Sequence, residues 1–441
     1  MSLQIRKDDF WVFLVLMAGH LPNRYVSQGM VILLSIPYVL YFLKNYKYFG
    51  SNCFEEVGPV YGRVIFLFWM ILGVTVLSFT LNFSNINNLF WSLFNFAPLL
   101  FVGFVFLKFE RRALLQGSVW FMFVQLFFLT YQYLKLAVTQ GTINIFSGNQ
   151  SAGDHMVGTL GSFSTPLSVV FCILTLVYLS EYLAAREKKY GVYTILAFIA
   201  ALLPGAMSVL FVFFFAIALA IIFLQIKSAK PGRFKVVFGM IFLLGTGILT
   251  QGNNIDYGYR MLDKAMSYGL PYKAFLHEET ISGMIEGGIP IYGVGAGNYS
   301  SRAALIVSGE YLLVQPWYIP ITPSIYTEKY VTNIYSKINY GESVMGFNGG
   351  SMVSEPFAQY LSLLAEGGLI AFVLIVMVIY ILLRSSFVSG DVYMMAFTLF
   401  IAILLLTNAW LEYVEFCVVF YLGLACFLTR HQSASKQEKS I

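Results

Sequence analysis

Between Gly287 and Leu305 the chain reads GGIPIYGVGAGNYSSRAAL, with glycine at 293, 295 and 297 and arginine at 302. Alternate glycines let a backbone turn tightly and aim its N–H groups at one anion, and a guanidinium close behind adds a fork of donors. Phosphate is the anion such a turn suits. The turn has neither the GxGxxG of a dinucleotide fold nor the GK[ST] of a P-loop. Arg302 also reads as a helix-start arginine facing solvent.

Upstream, GYRMLDKAMSYGL sets Arg260 and Lys264 four residues apart, on one face of a short amphipathic helix. Two adjacent cations grip a diphosphate; equally, they pair with Asp256 and Asp263 or meet lipid headgroups. His277, Glu278 and Glu279 form a cluster suited to general-base work or to a solvated face. His155, in GNQSAGDHMVG, has the same two readings. Tyr299 and Trp317 belong to a tyrosine-rich segment, and aromatic faces stack on sugar rings or form an interfacial belt. Arg24 reads as a snorkelling anchor ahead of a wall of the site. The four cysteines have no metal-ligand spacing, so neither metal nor cofactor is expected.

These groups need a frame, and the composition names its solvent. Of 441 residues, 58% are hydrophobic and only 11% charged. Soluble domains carry about a quarter charged residues. The expected fold is an all-α polytopic membrane protein. Apolar runs predict about twelve spans, near 8–22, 27–44, 64–82, 89–108, 116–137, 162–184, 190–204, 206–226, 235–251, 357–383, 391–408 and 412–429. Pro204-Gly205 divides the seventh from the eighth as a tight turn, or kinks one long helix. With the N-terminus inside, 19 of the 27 Lys and Arg fall in inner segments, and the short outer loops keep Arg24 and Lys135. The organisation is then 1–251 (nine spans), 252–356 (a large outer loop), 357–429 (three spans) and 430–441 (a polar inner tail). The loop faces away from ATP, so any phosphate it meets is carried on a lipid. The net charge of +5 is a matter of loops, not a nucleic-acid footprint.

IPIYGVGAGNYSS, followed later by EPFAQYLSLLAEGGLIAF, resembles the C-terminal region of the O-antigen polymerase and O-antigen ligase superfamily. Pro290, Gly293, Gly295, Gly297, Asn298 and Tyr299 match its glycine turn. Tyr360, Leu361, Leu364, Glu366 and Gly368 match the run that opens the next membrane helix, with Ala371 in place of a last glycine. The ligases' histidine–asparagine pair is replaced by Phe357 and Ala358, which favours a polymerase. The serine–arginine pair of many members has its counterpart at Gly205-Ala206-Met207-Ser208, without arginine. The resemblance implies a glycosyltransferase of the bacterial inner membrane, both termini cytoplasmic, working in lipopolysaccharide or other polysaccharide biosynthesis. Its substrates would be oligosaccharides on undecaprenyl diphosphate. Membrane lipids, a chain-length regulator and a flippase of the same pathway are the implied partners. Arg302, Arg260 and Lys264 would neutralise the leaving diphosphate beside Gly293, Gly295 and Gly297. Tyr299 and Trp317 would hold saccharide. Glu355, His277 or Glu279 would take the acceptor's proton, Glu355 reading equally as a helix cap. The alternatives are a ligase acting on lipid A core and a lipid-oligosaccharide flippase.

Overall fold

The computed structural model describes residues 6–44, 53–82, 86–140, 155–160, 164–225, 291–297, 301, 303 and 358–438. They form helices α1 (Lys7–Ala18), α2 (Arg24–Lys44), α3 (Cys53–Asn82), α4 (Ile86–Phe106), α5 (Arg111–Gln140), α6 (Ser164–Ala185), α7 (Lys188–Leu202) and α8 (Met207–Gln225). After the intervening segment come α9 (Gln359–Ser389), α10 (Val392–Leu404), a 3-10 turn (Trp410–Glu412) and α11 (Val414–Glu438). No strand occurs among the described residues. Each helix overlaps one predicted span; the ninth predicted span, 235–251, lies outside the described residues.

Among the described residues, six helices are long and apolar enough to cross a membrane: α2, α3, α4, α5, α6 and α9. The protein is thus an all-helical membrane protein. Stretches of α8, α10 and α11 are shorter and also apolar. Residues Val414 to Leu428 of α11 are buried without interruption. A helix apolar all round has no face to offer water, so it becomes the hub of a bundle. α11 packs on α3, α4, α5 and α6, and the remaining contacts run in pairs: α1 on α5, α2 on α4, α3 on α9, α6 on α7, α8 on α10. Aromatic rings fill the hub, with Phe397 and Phe416 each stacked on Phe420.

α7 and α8 are two helices, not one bent rod. Phe198 and Phe214 lie 16 positions apart, about 24 Å along a straight helix. Their ring centroids are 5.9 Å apart, so the chain reverses around Pro204.

The bundle has two unlike ends. At one, Arg111 at the start of α5 pairs with Glu181 near the end of α6. Lys108, just past α4, lies over Tyr41 near the end of α2. Arg6, Lys44, Arg112, Arg186, Lys188 and Lys189 stand at helix ends of the same polarity. The other end carries buried polar side chains from the α1–α2 connection, α2, α3, α4, α5, α9 and the stretch from Trp410 to Glu415. There the candidate site lies.

Candidate functional site

The glycine turn and the second matched motif, remote in sequence, form one structure. α9 is interrupted at Gly368, whose φ of 71° and ψ of −170° lie outside the helical region. A broken helix leaves carbonyls without partners before the break and amides without partners after it. In a membrane such groups must be met by protein. The turn meets them. Val294 N donates to Ala365 O at 2.8 Å, and Gly295 N to Glu366 O at 3.2 Å. Ile370 N, beyond the break, donates to Ile291 O at 3.4 Å. The Ser78 hydroxyl of α3 also donates to Glu366 O, at 2.6 Å.

This junction explains two glycines. Gly293 has φ 79°, and a Cβ there would press into the backbone of Glu366 and Gly368. A Cβ on Gly368 would strike the carbonyl of Ile291. The segments meet backbone to backbone, with room for no side chain. Neighbouring helices fasten the turn: Asn82 Nδ2 of α3 donates to Gly293 O at 3.0 Å, and Asn88 Nδ2 of α4 to Gly297 O at 3.2 Å.

The amides offered to phosphate by the sequence reading have a carboxylate at hand. Gly297 N donates to Glu366 Oε2 at 2.8 Å, and Ser301 N to Glu366 Oε1 at 3.2 Å. Two amides thus grip both oxygens of one buried side chain, 7% exposed. The local geometry does bind an oxyanion, and that oxyanion is Glu366. Any phosphate reaching these two amides competes with it.

A second cluster lies at the same end and was not foreseen. Arg24, at the start of α2, is buried; its Nε donates to Glu415 Oε1 of α11 at 3.2 Å. Its guanidinium carbon stands 4.4 Å from the ring centroid of Tyr413. Arg24 is therefore an interior ion-pair partner, not the headgroup anchor favoured from sequence. Glu412 is buried beside this pair in the chain. His20 lies in the connection between α1 and α2, and its Nδ1–H donates to Leu16 O at 2.7 Å. With Nδ1 donating to Leu16 O, Nε2 of the neutral ring is the nitrogen left to accept. The Thr159 hydroxyl donates to His20 O, and Gln125 Nε2 to Thr159 Oγ1, both at 2.6 Å. Gln28 Nε2 of α2 donates to Asn95 Oδ1 of α4 at 3.3 Å. Gln359 closes the edge: its N–H donates to Leu405 O at 2.8 Å and its Oε1 accepts from Leu411 N at 3.0 Å.

Among the described residues, His20 Nε2, Gln28 Oε1, Ser92 Oγ, Asn95 Nδ2 and Glu415 Oε2 have no hydrogen-bond partner. Each such buried atom costs about 1–3 kcal/mol unless water or a ligand meets it. Most such atoms gather at this end of the bundle; the Tyr421 hydroxyl, in the hub, is another.

Of the sequence-predicted site residues, Gly293, Gly295 and Gly297 are in the junction. Arg260, Lys264, His277, Glu279, Tyr299, Arg302, Trp317 and Glu355 lie outside the described residues. His155 is described and exposed. Three cysteines, Cys172, Cys417 and Cys426, are buried and free. No group of His, Cys, Asp and Glu suited to a metal occurs among the described residues.

No protein-family model matches the chain, and no curated protein matches it. What fold and site define is a class: an all-helical membrane protein whose interrupted helix is closed by a glycine-rich turn from a distant segment.

Proposed function

We propose that the protein is a polysaccharide repeat-unit polymerase of the bacterial cytoplasmic membrane, with twelve spans, both termini cytoplasmic and segment 252–356 on the outer face. The observation that carries the reading is the junction of Ile291–Gly297 with Glu366–Gly368. The two motifs behind the family resemblance complete one another's hydrogen bonds, as parts of one device should. The charge asymmetry supports the orientation. Helix-end cations gather opposite the junction, and cations stay on the cytoplasmic side of inserted helices.

The reaction moves a growing glycan from undecaprenyl diphosphate to a lipid-linked repeat unit. The anomeric C–O bond to the diphosphate breaks and a glycosidic bond forms to the acceptor hydroxyl. Undecaprenyl diphosphate departs with the bonding electrons, and the hydroxyl proton passes to a base. The sugar–diphosphate bond supplies the driving force, so neither ATP nor a nucleotide sugar is drawn into the scheme. The protein holds two lipid heads together and neutralises charge on the leaving group. Arg302, Arg260 and Lys264 are assigned to the diphosphate. Tyr299 and Trp317 are assigned to saccharide, and Glu355, His277 or Glu279 to the proton.

Purified protein, given lipid-diphosphate repeat units and no nucleotide, should make glycan ladders. Arg302→Ala or Arg260→Ala should slow them by about 10²-fold or more, the typical loss of a transition-state charge contact. Ladders of wild-type rate from both variants reject the cation assignment. Product formed only with lipid A core would mean a ligase. One observation favours a transporter as second reading: interrupted membrane helices line substrate sites in secondary transporters. Transbilayer movement of the lipid-linked unit in proteoliposomes, without ladders, would establish that reading instead.

A further inference from the structure

A groove opens on the lipid-facing side, toward the cationic end. Phe42 of α2, Phe104 of α4, and Pro59, Gly62, Arg63, Ile65, Phe66 and Trp69 of α3 line about 430 Å³. That is within the roughly 300–1,000 Å³ of small-molecule sites. Pro59 and Gly62 bring little bulk to α3 here, and the Phe42–Phe104 pair, centroids 4.8 Å apart, forms the facing wall. Every lining side chain is apolar except Arg63.

Arg63 is the telling residue. It is exposed, and no carboxylate of the described residues pairs with it. The apolar run of α3 predicted from sequence starts at residue 64, so Arg63 stands at its cationic edge, at the boundary of headgroups and acyl chains. A lone arginine at that depth snorkels toward phosphate. Here it stands on an indentation shaped for a hydrocarbon chain. Lys108, over Tyr41 of the adjacent α2, adds a second cation at this end.

We infer that this groove is a site for an anionic phospholipid, its phosphate on Arg63 and one acyl chain between α3 and the Phe42–Phe104 wall. The site is independent of the polymerase reading and lies toward the opposite end of the bundle from the glycine junction. It fixes a structural lipid to the face where α2, α3 and α4 meet.

The test is lipid retention by the full-length, detergent-purified protein, read by native mass spectrometry with phosphatidylglycerol against phosphatidylcholine. Wild type should prefer phosphatidylglycerol about fivefold, the preference expected of one arginine near an anionic headgroup. Arg63→Gln should bring the ratio to about one, Arg63→Lys should keep it, and Gly62→Phe should lower retention of both lipids by filling the groove. Equal retention of the two lipids by wild type, or an unchanged preference in Arg63→Gln, overturns the inference. Full displacement of phosphatidylglycerol by millimolar inorganic phosphate also overturns it, because the chain would then contribute nothing. The Arg63→Lys variant separates loss of charge from loss of fold.

Discussion

Glu366 and Glu415 are both buried carboxylates at the same end of the bundle, and different kinds of donor bind them. Glu366 is held by two backbone amides of the glycine turn. Glu415 is held by the guanidinium of Arg24. Side-chain truncation leaves a backbone amide in place, and only proline removes it, so the first site is protected against most substitutions. A guanidinium can be deleted at a stroke, which leaves the second site exposed to single changes. One design stores its specificity in glycine spacing, the other in a pair of side chains.

The sharpest way to break the contrast is to strand Glu415. Arg24→Ala should cost about 3–5 kcal/mol, the usual penalty of an uncompensated buried charge. The readout is the thermal midpoint of the detergent-purified protein. The double change Arg24→Leu with Glu415→Leu should recover much of that loss, because neither charge is then desolvated. A double variant as unstable as the single one would mean that the pair does more than neutralise itself.

Next in size is Gly368→Ala, at about 3 kcal/mol from a glycine-only backbone region plus overlap with Ile291 O. Limited proteolysis should show the turn released while α1 and α2 stay protected. Glu366→Gln keeps the shape but faces an NH₂ toward a backbone amide, at about 2 kcal/mol. If Glu366→Gln matched Arg24→Ala in cost, the distinction between the two carboxylates would fail. Smallest is Ser78→Ala, about 1 kcal/mol, since Glu366 O keeps its bond from Gly295 N.

The two sites also differ in how far the sequence discloses them. Helix positions were legible throughout the described regions, because apolar runs and charged ends dominate a membrane chain. The turn was legible as a turn: alternate glycines demand close backbone approach. What the backbone approaches is not written in the glycine spacing. Phosphate was the anion sought, while Glu366, counted only as a motif letter, supplies one from within the chain. The Arg24–Glu415 pair was out of reach. Its members stand 391 residues apart, and nothing local marks either as the other's partner. Their one sequence signal was charge at the edge of an apolar run, which also describes an ordinary anchor. The break at Gly368 hid for a related reason. A glycine pair within a long apolar run reads as a tolerated interruption, and only the arriving turn makes it a joint.

That joint has a consequence for biogenesis. The turn leaves the ribosome about 70 residues before Gly368 does. It is already made when the interrupted helix enters the bilayer. Until the two dock, the carbonyls of Ala365 and Glu366 lack the donors that Val294 N and Gly295 N supply. Docking of the turn therefore completes the hydrogen bonding of the interrupted helix. Deletion of residues 291–297 should leave α9 open to proteolysis at Gly368, for want of a partner synthesised earlier.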